Sequence, residues 1–486
     1  MRVVSRHMLA AALCAALGPS VALAQSAGQS ASFYLTDEIN AQQPVPPTPP
    51  ANSPSDMPGG LKIAGPSCDI SCSAACGCNS CCDSCCGGWL SCWPCGCPLE
   101  CLGEACKLWK PCCEDSPWSA GGWAAAGYVW NPYQPADNFN GPLTWNDRAN
   151  EGQFNELYGY IGRAANTEGC GCDWGARVDA MYGTNYRWNT SAGFESHWGN
   201  GQFYGLAVPQ LYGEIAYNDL SVKVGRFYSP VGYYVVGTAN NYFPILPYTF
   251  QYGEPFTHTG ALATYKASDD LTLGGGITHG WDSSDNTGNP HAGGLLTTSY
   301  TIDEQQSFAY VGVFGNEPNF SGVNLANNGF GYTARYLQTL VYINKLSDDV
   351  TAVLQSDFGR QHDAVVPGQV ASWYGVNSYL YWNQTCRLQW GANGEWFRDD
   401  GGFRVGQVLP SFGSPNARGF ARSGFDGSFY RFMFGPKYFF TPNIYTRAAF
   451  VADWYSGKAN AAGQQPFDDG TKTHQQVVAF DLIATF

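Results

Sequence analysis

The sequence has no long apolar run beyond its first residues, and it carries few charged side chains. After residue 24, no stretch stays apolar for the roughly 18 residues that a transmembrane helix needs. Charged residues make up 13% of the chain, and 25 Lys plus Arg stand against 39 Asp plus Glu, for a formal net charge of -14. This balance argues against nucleic acid as a partner, and any part that spans a membrane must be built from strands.

Signatures of catalysis are also missing. The chain contains no Gly-x-Ser-x-Gly elbow, no His-Glu-x-x-His pair and no Gly-x-x-x-x-Gly-Lys loop. His258, His279 and His474 are isolated among turn residues, Ser and Thr. We therefore expect no enzymatic activity, no cofactor and no metal centre.

Aromatic residues and glycine are abundant instead, with 29 Tyr, 28 Phe, 16 Trp and 59 Gly. Such a composition favours β-sheet. From about Trp123 to Phe486, short segments alternate apolar and polar residues between Gly, Asn, Asp and Pro, which predicts about 14 strands, within a range of 12 to 18. The segment from Trp123 to Trp130 could add a strand. The candidate strands lie near residues 155–164, 174–183, 207–217, 220–227, 259–266, 271–280, 307–314, 332–343, 349–358, 372–382, 386–398, 428–439, 443–455 and 475–486.

The last of these strands shows two faces most clearly. Between residues 475 and 486, one face carries Phe480, Leu482 and Phe486, and the other carries Asp481. A period of two places these sets on opposite sides, as expected for a strand with lipid on one side and water on the other. The terminal Phe486 also resembles the assembly signal of outer-membrane barrels, so the barrel-assembly machinery is an expected partner. An edge strand of a soluble protein is the alternative.

Together these features predict an all-β, transmembrane antiparallel β-barrel in residues 120–486. Aromatic residues lie near the ends of several strands, as in the girdles at membrane interfaces. The other face carries both signs of charge, which suits a wet lumen better than a packed core. Because the signs balance, we expect weak selectivity between cations and anions; cross-strand ion pairs in the wall are the alternative role. The predicted pore-lining residues are Arg177, Asp179, Glu214, Lys223, Asp357, Arg387, Glu395, Arg431, Lys437, Arg447, Asp453 and Asp481.

The first part of the chain reads as three further segments. Residues 1–24 combine Arg2 and Arg6, an apolar run and Ala22-Leu23-Ala24, which predicts a signal peptide and export. Residues 25–67 are polar and proline-rich, as in an extended linker. Residues 68–116 form a cysteine-rich, loop-like segment without strand or helix periodicity.

That segment holds most of the 19 cysteines and no His. An exported protein meets an oxidising compartment, so disulfides are the favoured interpretation; thiolate metal binding and an unstructured tether are the alternatives. Other envelope components, linked covalently through cysteine, are also expected as partners. The disulfide candidates are Cys68, Cys72, Cys76, Cys78, Cys81, Cys82, Cys85, Cys86, Cys92, Cys95, Cys97, Cys101, Cys106, Cys112, Cys113, Cys170 and Cys172.

A stretch from Tyr228 to His258 shows no clear period and is long for a connection, and such loops are usually functional or disordered. Its many aromatic residues argue against disorder. We hypothesise that it folds into or across the barrel mouth and narrows the pore; a packed extracellular loop that does not touch the solute is the alternative. The candidate constriction residues are Tyr233, Tyr234, Tyr242, Tyr248, Glu254 and His258.

One stretch resembles a known family. Val-Lys-Val-Gly-Arg-Phe-Tyr-Ser-Pro-Val-Gly-Tyr at residues 222–233, followed by Asn-Asn-Tyr-Phe at 240–243 and Pro-Phe-Thr-His-Thr-Gly at 255–260, is similar to the β-barrel porins described as OmpL-like. The resemblance spans roughly residue 120 to the end, although this chain has Tyr233 and Tyr234 where the family is expected to carry a Glu.

The resemblance implies a porin in the outer membrane of a Gram-negative-type bacterium, with the lipid bilayer and small polar solutes or ions as partners and passive diffusion as its activity. The alternative function is that of a structural envelope protein cross-linked by disulfides.

Overall fold

The computed structural model describes residues 116–195, 198, 202–286, 289–324, 329–406 and 422–486, together with residues 102, 105 and 107. The predicted signal peptide, the proline-rich linker and Cys68 to Cys113 lie outside the described residues. The domain boundaries therefore stay predictions. In the part that is described, no helix is long and apolar enough to cross a membrane.

Within these residues, sixteen antiparallel strands pair with their neighbours in chain order and close into one barrel, with β1 beside β16. The sixteen strands are β1 (Trp118–Trp130), β2 (Gly152–Arg163), β3 (Cys172–Gly183), β4 (Gly205–Tyr217), β5 (Leu220–Tyr228), β6 (Thr257–Ser268), β7 (Leu271–Thr278), β8 (Gly293–Thr301), β9 (Gln306–Asn324), β10 (Gly329–Lys345), β11 (Val350–His362), β12 (Val370–Asn383), β13 (Leu388–Asp400), β14 (Gly427–Phe439), β15 (Ile444–Gly457) and β16 (His474–Thr485). A single helical turn, α1 (Tyr186–Asn189), lies between β3 and β4.

The predicted all-β antiparallel barrel is confirmed, and the predicted number of strands was close. The fourteen candidate strands do not include β8 or β1, although the segment from Trp123 to Trp130 was expected as a possible further strand and lies within β1. β8 opens with Gly293 and Gly294 and continues with Leu, Thr and Ser, so it shows no alternation of apolar and charged residues. β1 contains three Ala in a row, and Ala fits either face of a strand.

The two ends of the barrel differ in their connections. At one end, β-strands are joined by short segments such as 218–219, 269–270 and 440–443, while at the other end they are joined by long ones such as 131–151, 229–256 and 401–426. Outer-membrane barrels have short periplasmic turns and longer extracellular loops. The chain enters β1 and leaves β16 at the short-turn end, where the backbones of Gly122 and Phe486 exchange hydrogen bonds of 3.0 and 2.9 Å.

Strand alternation divides the wall into an apolar outer face and a more polar inner face. On β16, Phe480 and Leu482 are 44% and 51% exposed, whereas Val477 and Asp481 are 1% and 6% exposed. The same division runs through β11, where Leu354 is exposed and its neighbours are buried. The predicted register of these strands is therefore correct, and Asp481 lies on the inner face.

Candidate functional site: a constricted lumen

The predicted pore-lining charges lie on the inner face of the barrel, with one exception. Their positions share the parity of the buried residues on each strand, whereas the intervening residues are exposed. The residues placed on the inner face are Arg177, Asp179, Glu214, Lys223, Asp357, Glu395, Arg431, Lys437, Arg447, Asp453 and Asp481.

Arg387 is the exception, and its role in lining the pore stays a prediction. β13 begins at Leu388, so Arg387 belongs to the short turn after β12. Its Nη1 donates hydrogen bonds to the carbonyl groups of Phe439 and Phe440, at 3.4 and 2.7 Å. The alternating pattern was extended two residues beyond the observed start of the strand.

Several inner charges form ion pairs with the neighbouring strand. Arg431 lies opposite Asp453 in the β14–β15 register, and its Nε and Nη2 donate to the two carboxylate oxygens at 2.6 and 3.0 Å. Arg447 lies opposite Asp481 and pairs with it in the same way. These are the cross-strand pairs considered as the alternative role for the inner charges, and they hold the wall together. Arg177 instead pairs with Asp179 on the same strand, at 2.7 Å.

The connection between β5 and β6, residues 229–256 and here called the inner loop, lies inside the barrel. Tyr233, Tyr234, Tyr242 and Tyr248 on this loop are all at most 2% exposed. Short turns at Thr238–Asn240 and Thr249–Gly253 fold the segment back on itself.

The tyrosines of the inner loop stack against aromatic rings of the far wall. Ring centroids lie 4.8 Å apart for Tyr242 and Tyr381, and 5.5 Å apart for Tyr234 and Tyr379. Aromatic pairs at such distances add stabilisation beyond the burial of their area. The loop therefore occupies the lumen, as hypothesised from its aromatic residues, while its effect on a permeating solute stays a prediction.

Polar anchors fix the inner loop to β13. Glu395 accepts hydrogen bonds from the backbone N–H groups of Tyr248 and Thr249, at 2.8 and 2.7 Å. The hydroxyl of Thr249 donates a third hydrogen bond to Glu395, at 2.7 Å. This carboxylate thus satisfies donors of the loop instead of facing open solvent.

Two arginines on adjacent strands anchor the loop through its carbonyl groups. Arg447 Nη1 donates to the carbonyls of Thr238 and Asn241, at 2.8 and 2.5 Å, while Arg431 donates to that of Leu246. Each arginine therefore binds a carboxylate of the wall and a carbonyl of the loop at once. Sequence analysis identified the arginines but not this second role.

On β2, the loop is also held by a carboxylate that sequence analysis missed. Glu156 accepts hydrogen bonds from Trp123 Nε1 (2.7 Å), Asn185 Nδ2 (2.8 Å) and the N–H of Thr238 (3.1 Å). The β1–β2 register shifts next to Glu156, so Asn155 and Glu156 both face inward. A strict period of two cannot reveal such a bulge.

Glycine allows the loop to approach this wall. A Cβ on Gly237 would lie 2.9 Å from the ring of Trp123, closer than a side chain tolerates. Gly232 adopts a positive φ of 81°, and its Cβ would lie 2.1 Å from Glu254 Oε2. Both positions therefore require glycine for the observed path of the loop.

Near its end, the loop carries a buried carboxyl group. Glu254 Oε1 accepts a hydrogen bond of 2.6 Å from Gln355 Nε2. Burial, together with the neighbouring carboxyl group of Asp357, raises the pKa of Glu254 well above its usual range. His258, predicted as a loop residue, lies on β6 with Nδ1 3.1 Å from the carbonyl of Gly280, so it belongs to the wall.

Above the inner loop, the 401–426 connection contributes an arginine to the lumen. Arg404 Nε donates to the carbonyl of Tyr252 at 2.6 Å, and its guanidinium lies 5.0 and 5.1 Å from the ring centroids of Trp373 and Trp281. Burial and the nearby Arg335 lower the pKa of Arg404 to about 9. This residue ties two loops together at the mouth.

The cysteines in the described residues do not follow the prediction. Cys170 and Cys172, expected to form disulfides, are exposed free thiols in and beside the turn between β2 and β3. Strand pairing places Cys172 opposite Tyr217. Cys386, which was not among the candidates, is disulfide-bonded.

A closed sixteen-stranded barrel with an apolar exterior, charged inner walls and a loop folded into its lumen defines a diffusion channel of the outer membrane, a porin. The particular family follows from the sequence model that matches residues 117–486, which is described as "Putative beta-barrel porin-2, OmpL-like". The chain belongs to this family, and the protein is a channel in the outer membrane of a Gram-negative bacterium. No curated protein matches it.

Several solved structures are similar to this chain. OmpT of Vibrio cholerae, in its trimer form, is 9% identical and aligns over 76% of this chain and 99% of its own, with a TM-score of 0.47. OprB of Pseudomonas putida is 11% identical over 76% and 94%, also with a TM-score of 0.47. Salmonella typhi OmpF in complex with daunomycin is 13% identical over 76% and 97%, with a TM-score of 0.45. Identities at this level do not transfer a function.

Proposed function

We propose that the protein is a narrow, non-catalytic channel in which the inner loop sets the limit on solute size. The observation that carries this proposal is that the loop crosses the lumen: it leaves β5 and joins β6, and it is held by Glu395 on β13 and Arg431 on β14, eight strands further round the barrel. A segment held at both sides crosses the path of any solute.

The proposed path runs along β6, β7 and β8. Their inner faces carry small residues, including Gly260, Thr264, Gly274, Gly276 and Thr297. Leu262 and Leu295 are larger inward side chains on these strands, and the small residues around them leave room between the wall and the loop. Threonine hydroxyls and backbone groups on this wall suit small polar solutes or ions better than apolar ones.

Deleting residues 240–247 from the inner loop tests this role. The deletion removes Tyr242 and the carbonyl groups of Asn241 and Leu246, so the loop loses much of its contact with β14 and β15. We expect a larger single-channel conductance in planar bilayers and faster uptake of larger neutral sugars by liposomes. A matched control deletes residues 461–463, which are exposed in the 458–473 connection.

The control should leave conductance unchanged. An unchanged conductance in the inner-loop deletion, with a folded barrel shown by heat-modifiable migration, would contradict the constriction and leave only the porin assignment. An equal rise in both deletions would point to a general loosening of the extracellular side.

We further propose that the chain is exported through its N-terminal signal and that the barrel-assembly machinery recognises Phe486. Support comes from the C-terminal strand, which closes the barrel against β1. Replacing Phe486 with Ala should lower the amount of folded protein in the outer membrane. Phe450→Ala, which removes an exposed outer-face ring on β15, is the control and should assemble normally.

A second role as a covalently linked envelope protein is favoured by the cysteines. The free thiols of Cys170 and Cys172 are exposed at the short-turn end. If chains are linked to each other or to other proteins, a non-reducing gel of isolated envelopes will show a ladder that reduction collapses. A single compact band under both conditions would leave the channel as the whole function.

A further inference from the structure

A groove with a basic edge lies on the outer surface of the barrel at its long-loop end. The groove encloses about 420 Å³, and its lining includes Phe314, Ala334, Tyr336, Arg360 and His362. Phe314 is 47% exposed on the outer face of β9. The groove is therefore separate from the lumen and from the inner loop.

Strand register explains why a depression forms here. Phe314, Tyr336 and Arg360 stand opposite one another across β9, β10 and β11, with Gly294 of β8 beside Phe314. One step further toward the loops, Ala334 lies between larger neighbours. Small residues beside aromatic rings thus leave a hollow with an apolar floor.

The edge of the groove carries an arginine and a histidine. Arg360 and His362 share the outer face of β11, with Nη2 and Nε2 3.1 Å apart. The nearby carboxylates are engaged elsewhere: Asp363 accepts the N–H of Gly368 at 2.5 Å, and Asp400 pairs with Arg398 at 2.6 Å. Arg360 therefore brings a positive charge to this surface, and the side chain that it contacts is the imidazole of His362 and not a carboxylate.

The position along the strand sets the depth of these groups in the bilayer. β11 ends at His362, so Arg360 and His362 lie at the boundary between lipid and the extracellular loops. Below them on the same face, Phe358 and Leu354 are 36% and 47% exposed, as expected for residues that touch acyl chains. A cationic group above an apolar surface at this boundary matches a lipid with an anionic headgroup.

We propose that Arg360 and His362 bind a phosphate group of an outer-leaflet lipid whose acyl chains lie over Phe314 and Phe358. The occupant is a phosphorylated lipid, because the site joins a basic edge to an apolar floor in one continuous groove. A charge-assisted hydrogen bond from the guanidinium of Arg360 would hold the phosphate, with the imidazole of His362 beside it. The inference uses the placement of the barrel in the outer membrane but not the size limit set by the inner loop.

Native mass spectrometry of the purified full chain in a nonionic detergent tests the site, with diphosphorylated lipid A as the probe. We expect Arg360→Gln to weaken binding by about tenfold and the double variant Arg360→Gln/His362→Gln to weaken it further. The matched control is Arg398→Gln, because Arg398 lies at the same end of β13 but is paired with Asp400 and Asp426. Heat-modifiable migration shows that each variant is folded.

Three results would overturn the proposal. Equal binding of lipid A from which both phosphates have been removed would show an apolar groove without headgroup recognition. Full competition by millimolar inorganic phosphate would show an anion site that does not need a lipid. An equal loss in Arg398→Gln would show a general attraction of the loop end for anions.

Discussion

Glu254 of the inner loop and Asp357 of β11 are held by the same amide group. Gln355 Nε2 donates to Glu254 Oε1 at 2.6 Å and to Asp357 Oδ1 at 2.9 Å, and the two buried carboxyl groups lie within hydrogen-bonding reach of each other. Two ionised carboxylates cannot share such a site at low cost, so one proton is retained between them. Attachment of the loop to β11 is thereby linked to protonation.

The first prediction concerns the pH dependence of this attachment. Burial and Asp357 raise the pKa of Glu254 above its ordinary value of 4.5, so its contribution to stability is complete below that value and is lost as pH rises through the raised pKa. Glu254→Gln keeps a neutral side chain at every pH. We expect the variant to lose less stability than the wild type between mildly acidic and alkaline pH, measured by the temperature at which the folded band disappears on a gel.

Glu151→Gln is the matched control for this prediction, because Glu151 is exposed in the 131–151 connection. Its pH profile should follow that of the wild type. Glu395 and Tyr379 also face this region, so the same measurement on Glu395→Gln separates the two carboxyl groups. Identical profiles for Glu254→Gln and the wild type would show that the shared proton does not anchor the loop.

The second prediction concerns Arg447, which joins the wall to the inner loop. Arg447→Ala leaves Asp481 buried without its partner and frees the carbonyls of Thr238 and Asn241. Removing one member of a buried ion pair costs about 3–5 kcal/mol. We expect a lower unfolding temperature and a more variable single-channel current, because the loop loses an anchor.

Arg163→Ala provides the comparison for Arg447→Ala. Arg163 pairs with Asp173 at 2.8 Å near the short-turn end, where both side chains are partly exposed. Such a pair contributes about 0–1 kcal/mol, so its loss should change stability little. Equal effects of the two substitutions would mean that the inner position of Arg447 has no special role.

Sequence analysis identified the wall well because each strand obeys one local rule. Phe480 meets lipid and Asp481 meets the lumen, and this requirement repeats at every second position. Departures from the rule caused the errors. β8 lacks the alternation of apolar and charged residues, Arg387 lies before the start of β13, and Glu156 lies beside a bulge that brings two successive residues inward.

The hydrogen-bond partners that anchor the inner loop could not be predicted from the sequence, for a different reason. The aromatic composition of residues 229–256 indicated that the loop would be packed, and Tyr242 is buried as expected. Its partners are far away in the sequence, however: the carbonyl of Thr238 accepts from Arg447, which lies 209 residues later. Only closure of the barrel brings such groups together, so no local pattern can name them.

The third prediction is weak selectivity between small cations and anions. Inner charges of opposite sign face each other across neighbouring strands, as Arg431 does with Asp453 and Glu214 with Lys223, and although Lys437 faces Arg447, we expect no ring of one sign around the path. We expect a reversal potential near zero in a potassium chloride gradient. Asp453→Asn leaves Arg431 without its carboxylate and should shift the reversal potential toward that of chloride, whereas a strongly selective wild-type channel would contradict the balance.

The final prediction tests the orientation of the barrel through Cys170 and Cys172. Both thiols are exposed at the short-turn end, which faces the periplasm if the long connections are extracellular. A membrane-impermeant maleimide too large for the channel should leave these thiols unlabelled in intact cells and label them after the outer membrane is opened. Peptide mass mapping distinguishes the fragment that contains residues 170–172 from other cysteine-containing fragments.

Ala462→Cys, in the exposed 458–473 connection, is the control and should be labelled in intact cells. Labelling of Cys170 in intact cells, together with protection of the Ala462→Cys site, would mean that the barrel is inserted in the opposite direction, and the groove beside Arg360 would then face the inner leaflet.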